Sequence, residues 1–324
     1  MKQTQFEQQH AALWEAVDAI LQNRSDDAAA LPALYRRLCQ CLALAGQRGY
    51  SPALTDYLHA QAAACHLRLY GSVAERPRAL LQWMLVDFPR RVRAEWRLLL
   101  VAALAVFGVA LALGLLVWQQ PHWAHSFIDP AQLEKYRQMY RPGRIDAGRG
   151  QEGDLQMFGH YIWNNVSICF RTFAGGVFGG LPSLLSLAFN GMHMGVIASW
   201  LSMDPLTRTN FWSFVVTHSS FEITGLVLAG LSGMRLGLAL IAPGRLSRRH
   251  ALHATSRAMF PVIVGAALLT LLAAFVEAFW SASAAVPPQV KYAVGGVCWT
   301  AVIAFFLLAG RSRGARSEGA KHAD

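Results

Sequence analysis

His218 and Glu222 stand four residues apart in a long stretch with little charge, and on a helix that spacing makes them neighbours able to hydrogen-bond. Such a pair can act as a structural polar clamp, relay protons or contribute to a cation site. Its order departs from the H-E-x-x-H of a zinc peptidase and no third ligand is evident. Neither a metal nor a catalytic centre is therefore expected, and no cofactor. Further polar side chains, Asn164, Asn165, Arg171, Asn190 and His193, lie in other apolar segments. Lipid satisfies none of these groups, so each must face protein or a watery cavity.

At 100° per residue, Asn164, Arg171, Gly175 and Gly179 fall on one helix face, and His218, Glu222, Gly225, Gly230, Gly233 and Gly237 occupy a sector of about 140° on another. Gly175 and Gly179 form a G-x-x-x-G pair, and Gly191 and Gly195 add small residues at which helices can approach closely. Counted from the outer ends of their segments, Arg171 and Glu222 both lie about 15 Å down. Asn190 reaches a similar level from the opposite side. An unpaired arginine at that depth is costly, so the spacing predicts a buried Arg171–Glu222 pair supported by His218 and Asn190. Glu277, close to Trp280, is expected at the interface without a buried partner. Arg235 is expected to snorkel to the nearer surface.

Other chemistry is absent from the sequence. Cys39 and Cys41 are separated by one residue, which is not zinc-finger spacing, and none of the five cysteines falls in a segment expected outside, so disulfides are not expected. There is no G-x-x-x-x-G-K-[ST] phosphate loop. Ser183, in Gly180-Leu181-Pro182-Ser183, reads as a turn residue rather than a nucleophile.

The elements that must carry these residues follow from composition. Of the 324 residues 54% are hydrophobic and 15% charged, whereas a soluble domain carries about a quarter charged residues. The net charge of +10 sits largely beside apolar runs, where Lys and Arg face lipid headgroups and set orientation. Lipid, not nucleic acid, is the expected partner. The reading is an all-α polytopic membrane helix bundle of about six spans with a small helical cytoplasmic domain.

Residues 1–89 are assigned to that domain: Phe6, His10, Leu13, Trp14, Val17, Ile20 and Leu21 recur at helical spacing before a break at 23–27. Further helices are expected from Pro32 to Gly46 and from Ser51 to Tyr70. Leu80 to Phe88 reads as an interfacial helix or as the last core helix, the interface being favoured since Arg90, Arg91, Arg93 and Arg97 follow at once. Residues 90–118 hold the first span, Leu98 to Trp118, without a charge and long enough for a hydrocarbon layer about 30 Å thick. An external loop, 119–160, contains a short helix from Pro130 to Tyr140. The five-span core, 161–310, runs through Tyr161–Gly179, Pro182–Leu201, Phe211–Ile241, Phe260–Trp280 and Val290–Ala309. A basic cytoplasmic tail, 311–324, ends the chain. The basic loop Pro243–Arg257 also falls inside, with 202–210 and 281–289 outside, and no signal peptide is visible. Both termini are thus expected in the cytoplasm. Trp118, Trp163, Trp200, Trp212 and Trp280 mark the outer interface.

The order of these features resembles the stage II sporulation protein M family of bacterial membrane proteins. The likeness runs through Asn164-Asn165, Gly175-Gly176, Gly179-Gly180, Asn190-Gly191 with Gly195, His218 with Glu222, the Gly230, Gly233, Gly237 ladder and Val276-Glu277-Ala278-Phe279. Leu34-Tyr35-Arg36-Arg37-Leu38, Tyr57-Leu58-His59 and Leu69-Tyr70 are similar to the cytoplasmic region of its longer members. The resemblance implies a bacterial inner-membrane subunit of a cell-envelope machine, because the founding member works with peptidoglycan-degrading partners during engulfment. It brings no catalytic residues. The expected function is a non-enzymatic scaffold whose partner is a peptidoglycan hydrolase or a membrane-associated ATPase. A permease-like subunit, with the polar cluster lining a path and an ATPase in trans, is the alternative. Self-association is left open.

Overall fold

Among the described residues, 1–22, 28–70, 80–143 and 151–311 of a computed structural model, every regular element is helical, as the composition and periodicity require. The expected break at 23–27 lies outside them. The chain divides into two units between Arg76 and Pro77.

The first unit holds α1 (Gln3–Leu21), α2 (Leu31–Gln47) and α3 (Pro52–Tyr70). Their apolar stripes meet in one core through Phe6, Val17, Leu38, Leu58 and Cys65. Of the residues whose spacing marks α1 in the sequence, Phe6, Leu13, Trp14, Val17 and Ile20 are buried, and His10 and Leu21 are half-buried at its edge. Ser51 accepts from the Leu54 amide at 3.4 Å and Pro52 takes the first helical position, as its fixed φ favours.

The second unit contains α4 (Phe88–Ala94), α5 (Trp96–Gln119), α6 (Pro130–Met139), α7 (Gln151–Ala174), α8 (Leu181–Met203), α9 (Pro205–Ile241), α10 (Arg248–Val276) and α11 (Pro288–Leu308). Five of these, α5, α8, α9, α10 and α11, are long and apolar enough to cross a membrane. The segment expected as a sixth span is α7. Its 24 residues reach about 36 Å at 1.5 Å each, but Asp154, His160, Asn164, Asn165 and Arg171 keep it below that level of hydrophobicity. It nevertheless packs along α9 and α10.

Helix α9 is the hub. Within its most apolar stretch 72% of residues are buried, against at most 39% for the other four spans, because α5, α7, α8, α10 and α11 all pack on it. Small residues make this possible. A methyl group on Gly237 would overlap the backbone of Gly179, one on Gly233 would meet Ser183 and Phe173, and one on Gly225 would lie 2.7 Å from the Thr270 methyl. Gly191 and Gly195 do the same for α8 against the Val106 and Ala110 carbonyls of α5.

Several sequence expectations are revised. Gly175 and Gly179 do not share an α-helical face: α7 stops at Ala174, Gly175–Phe178 form a 3-10 turn, and Gly179 and Gly180 take φ of 79° and 85°. A side chain would be strained at those angles. Ser183 is in the first turn of α8 and buried, not in a loop. The connection at 202–210 shrinks to Asp204, whose carboxylate accepts from the Leu206 amide and starts α9 at Pro205, ahead of Phe211. Likewise Ser247 caps α10, so Arg248, Arg249 and Arg257 are helical. Phe88 packs edge-on to Phe306 and belongs to the core of the second unit. Arg235 does not merely snorkel: its Nε donates to the Glu95 carboxylate at 3.0 Å.

Candidate functional site

The buried stripe of α7 runs through Tyr161, Asn165, Cys169 and Thr172, spaced four, four and three as one helix face requires. Asn164 and Arg171, seven apart, therefore share a different face. Both are exposed. Arg171 donates to the Ser167 carbonyl of its own helix at 3.2 Å, and the expected Arg171–Glu222 pair does not form. The inward side of α7 belongs to Asn165, not to Arg171. Asn165, 2% exposed, takes a hydrogen bond from Asn164 at 3.1 Å and donates to Glu277 Oε2 at 3.4 Å.

Glu277, expected without a buried partner, thus has one. It opens a π turn, Glu277–Ser281, that continues α10. Such a turn admits one more residue than an α turn and redirects the side chains that follow. Equal residue counts from two helix ends also do not give equal height, because α9 starts six residues before the expected Phe211. At this height Glu277 and Ser281, the first and last residues of the turn, both face the polar side of α9, where His218 is 4% exposed.

There His218 Nδ1 meets Ser281 Oγ at 3.0 Å, and Nε2 is 3.8 Å from Glu222 Oε2. Donor atoms of His218, Glu222 and Glu277 all lie within 4.8 Å of one another. This supplies the third donor that the sequence did not reveal, and the three side chains could hold a metal ion. Lys291, buried and overlooked in the sequence as part of the last apolar segment, donates to the Ser281 and Ser283 carbonyls at 2.8 and 2.7 Å. Its own carbonyl accepts from Thr217 at 3.3 Å. The π turn is thereby tied to both α9 and α11.

Next to the cluster is a cavity of about 250 Å³ bounded by Asn165, Asn190, His218, Glu222, Tyr136 and Tyr140, with apolar side chains such as Val106 and Leu226 completing the wall. Glu222 sits deep in the bundle yet keeps 32% of its side chain accessible, and the accessible part lines this cavity. Tyr140, which ends α6, is buried. Burial first, and then the Glu277 charge, push its hydroxyl above the usual phenol range, so it stays protonated. Asn190 donates to the Ser186 carbonyl of its own helix at 2.8 Å and also faces the cavity. His193 does not take part. Its ring lies 4.6 Å from that of Phe189, outside the lining.

The structure thus joins Asn165, Asn190, His218 and Glu222 of the expected cluster, adds Glu277, Ser281 and Lys291, and leaves Arg171 and His193 aside. Only Glu277 had a signal in the sequence, as a carboxylate closing an apolar segment.

The family model described as Stage II sporulation protein M matches residues 99–282, a stretch that contains Asn165, Asn190, His218, Glu222, Glu277 and Ser281. A Domain of unknown function (DUF8413) matches residues 4–71, most of the first unit. Uncharacterized protein MJ0793 of Methanocaldococcus jannaschii is 25% identical over 79 residues, 24% of this chain and 44% of that protein. The matched region is therefore less than half of that relative's length. No solved structure matches the chain.

Proposed function

This chain belongs to the stage II sporulation protein M family, and from that membership we propose that it is a non-enzymatic subunit of a cell-envelope complex in the bacterial inner membrane. The observation that carries the reading is the two-part build. A three-helix unit with its own core precedes a multi-pass helical bundle, as suits a docking platform anchored to a membrane scaffold. In this reading the first unit and the C-terminal tail are cytoplasmic, α7 crosses with the five more apolar helices, and the connection at Asp204 is external. Arg90, Arg91 and Arg93 before α5 with Arg97 in its first turn, and Arg245 before α10 with Arg248 and Arg249 in its first turn, support that orientation.

Two experiments test it. Reporter fusions at Asp204 and Gln289 should read external and one at Ser247 internal; an internal reading at Asp204 removes the topology. Crosslinking in native membranes should join the chain to a peptidoglycan hydrolase. The cavity beside His218 and Glu222 favours a second reading, a permease-like subunit, for which the crosslinked partner is an ATPase. Self-contacts alone would speak against both.

A further inference from the structure

We propose that His218, Glu222 and Glu277 form a binding site for one divalent transition-metal cation, with Zn²⁺ as the probe. The inference is independent of the scaffold reading, which needs no metal.

Spacing is the first argument. His218 Nε2 and Glu222 Oε2, 3.8 Å apart, are too far for a hydrogen bond. Two donors each 2.0–2.2 Å from an ion at the tetrahedral angle are about 3.4 Å apart, so small side-chain rotations bring the set, all within 4.8 Å, onto one centre.

Orientation is the second. Metal-bound imidazoles commonly engage their remote nitrogen with a second group that fixes the ring. His218 does so through Nδ1 and Ser281 Oγ at 3.0 Å, which leaves Nε2 toward Glu222. Glu277 in turn accepts from Asn165, and Lys291 pins the turn that carries both Glu277 and Ser281.

Charge and access complete the case. Two carboxylates with one divalent cation and a neutral imidazole make a neutral centre, the form least costly in a low-dielectric interior. An imidazole donor favours zinc and its transition-metal neighbours over Mg²⁺ or Ca²⁺, which take mainly oxygen ligands. Glu222 and His218 open on the 250 Å³ cavity, which can admit the ion and leave water as a further ligand.

The test uses the full chain, purified in mild detergent, stripped with a chelator and titrated with Zn²⁺ or Co²⁺. Elemental analysis should give one Zn²⁺ per chain, and Co²⁺ should develop visible ligand-field bands. Glu222→Gln and Glu277→Gln, which keep shape and lose charge, should weaken binding more than Ser281→Ala. The latter should cost about 10- to 100-fold, as loss of an orienting partner does, and all three should alter the Co²⁺ spectrum. His193→Ala and Arg171→Ala should bind as the parent does. Monodisperse parent protein that takes up no Zn²⁺ overturns the proposal. So does binding by the two Gln variants that equals the parent's, which would place the ion elsewhere.

Discussion

His218 on α9 and Ser281 at the end of the π turn are joined through Nδ1 and Oγ at 3.0 Å, and this contact decides which imidazole nitrogen faces Glu222. Ser281→Ala leaves a buried ring nitrogen without its partner, which costs about 1–3 kcal/mol. Thermal unfolding of the full chain in detergent should show that loss, and rescue by Ser281→Thr, which restores the hydroxyl, separates it from a packing effect.

Arg171 is exposed and bonded to its own helix, so Arg171→Ala should change stability by no more than about 0.5 kcal/mol. Combined with Glu222→Ala, the two effects should add. A coupling between them in a double-mutant cycle on folded yield would restore the buried pair that the geometry rejects.

Gly195 packs α8 on the Ala110 carbonyl of α5, whereas Gly296 has nothing within 4 Å of the position a methyl would take. Gly195→Ala should therefore destabilise by about 1–3 kcal/mol as an overpacked contact, while Gly296→Ala, in the middle of α11, should be neutral or slightly stabilising. Equal effects in a detergent melting assay would contradict the α5–α8 contact.

The Leu206 amide, and after it the Arg137 guanidinium at 2.7 Å, hold the Asp204 carboxyl below the usual carboxylate range. A depressed pKa means a contribution that is complete above the unfolded value of about 3.9 and lost as pH falls through the lower folded one. Asp204→Asn keeps the helix cap and removes the charge. The variant should melt below the parent at pH 6, and the two curves should converge as the pH is lowered past 4. A gap that stays constant into acid would show that the charge plays no part.

Residues 1–76, expressed alone, should be helical by circular dichroism, since their core closes within that unit. Leu38 is fully buried and Leu67 is 71% exposed. Leu38→Ala should cost about 2–5 kcal/mol in urea unfolding, and Leu67→Ala no more than about 0.5 kcal/mol. A random-coil fragment would mean that the unit depends on the rest of the chain or on a partner.

Periodicity and length alone determined that the chain is helical, that three amphipathic helices precede a membrane bundle, and that α5, α8, α9, α10 and α11 can span it. These are local properties: an apolar stripe every three or four residues, or some twenty residues without charge, acts through the backbone next to it. They also marked His218 and Glu222, because an i, i+4 pair is a local relationship. What lay beyond them depended on rotation and height between helices. Arg171 and Asn165 are both polar residues on α7, and which one faces inward was decided by the packing of Tyr161, Cys169 and Thr172 against its neighbours. Glu277 joined the cluster because the end of α10 lies against α9, which itself extends beyond Phe211, and the π turn that Glu277 opens carries Ser281 to the same place. Neither the added residue in that turn nor the relative height of two helices leaves a period in the sequence, so only the tertiary structure could bring the second carboxylate to His218.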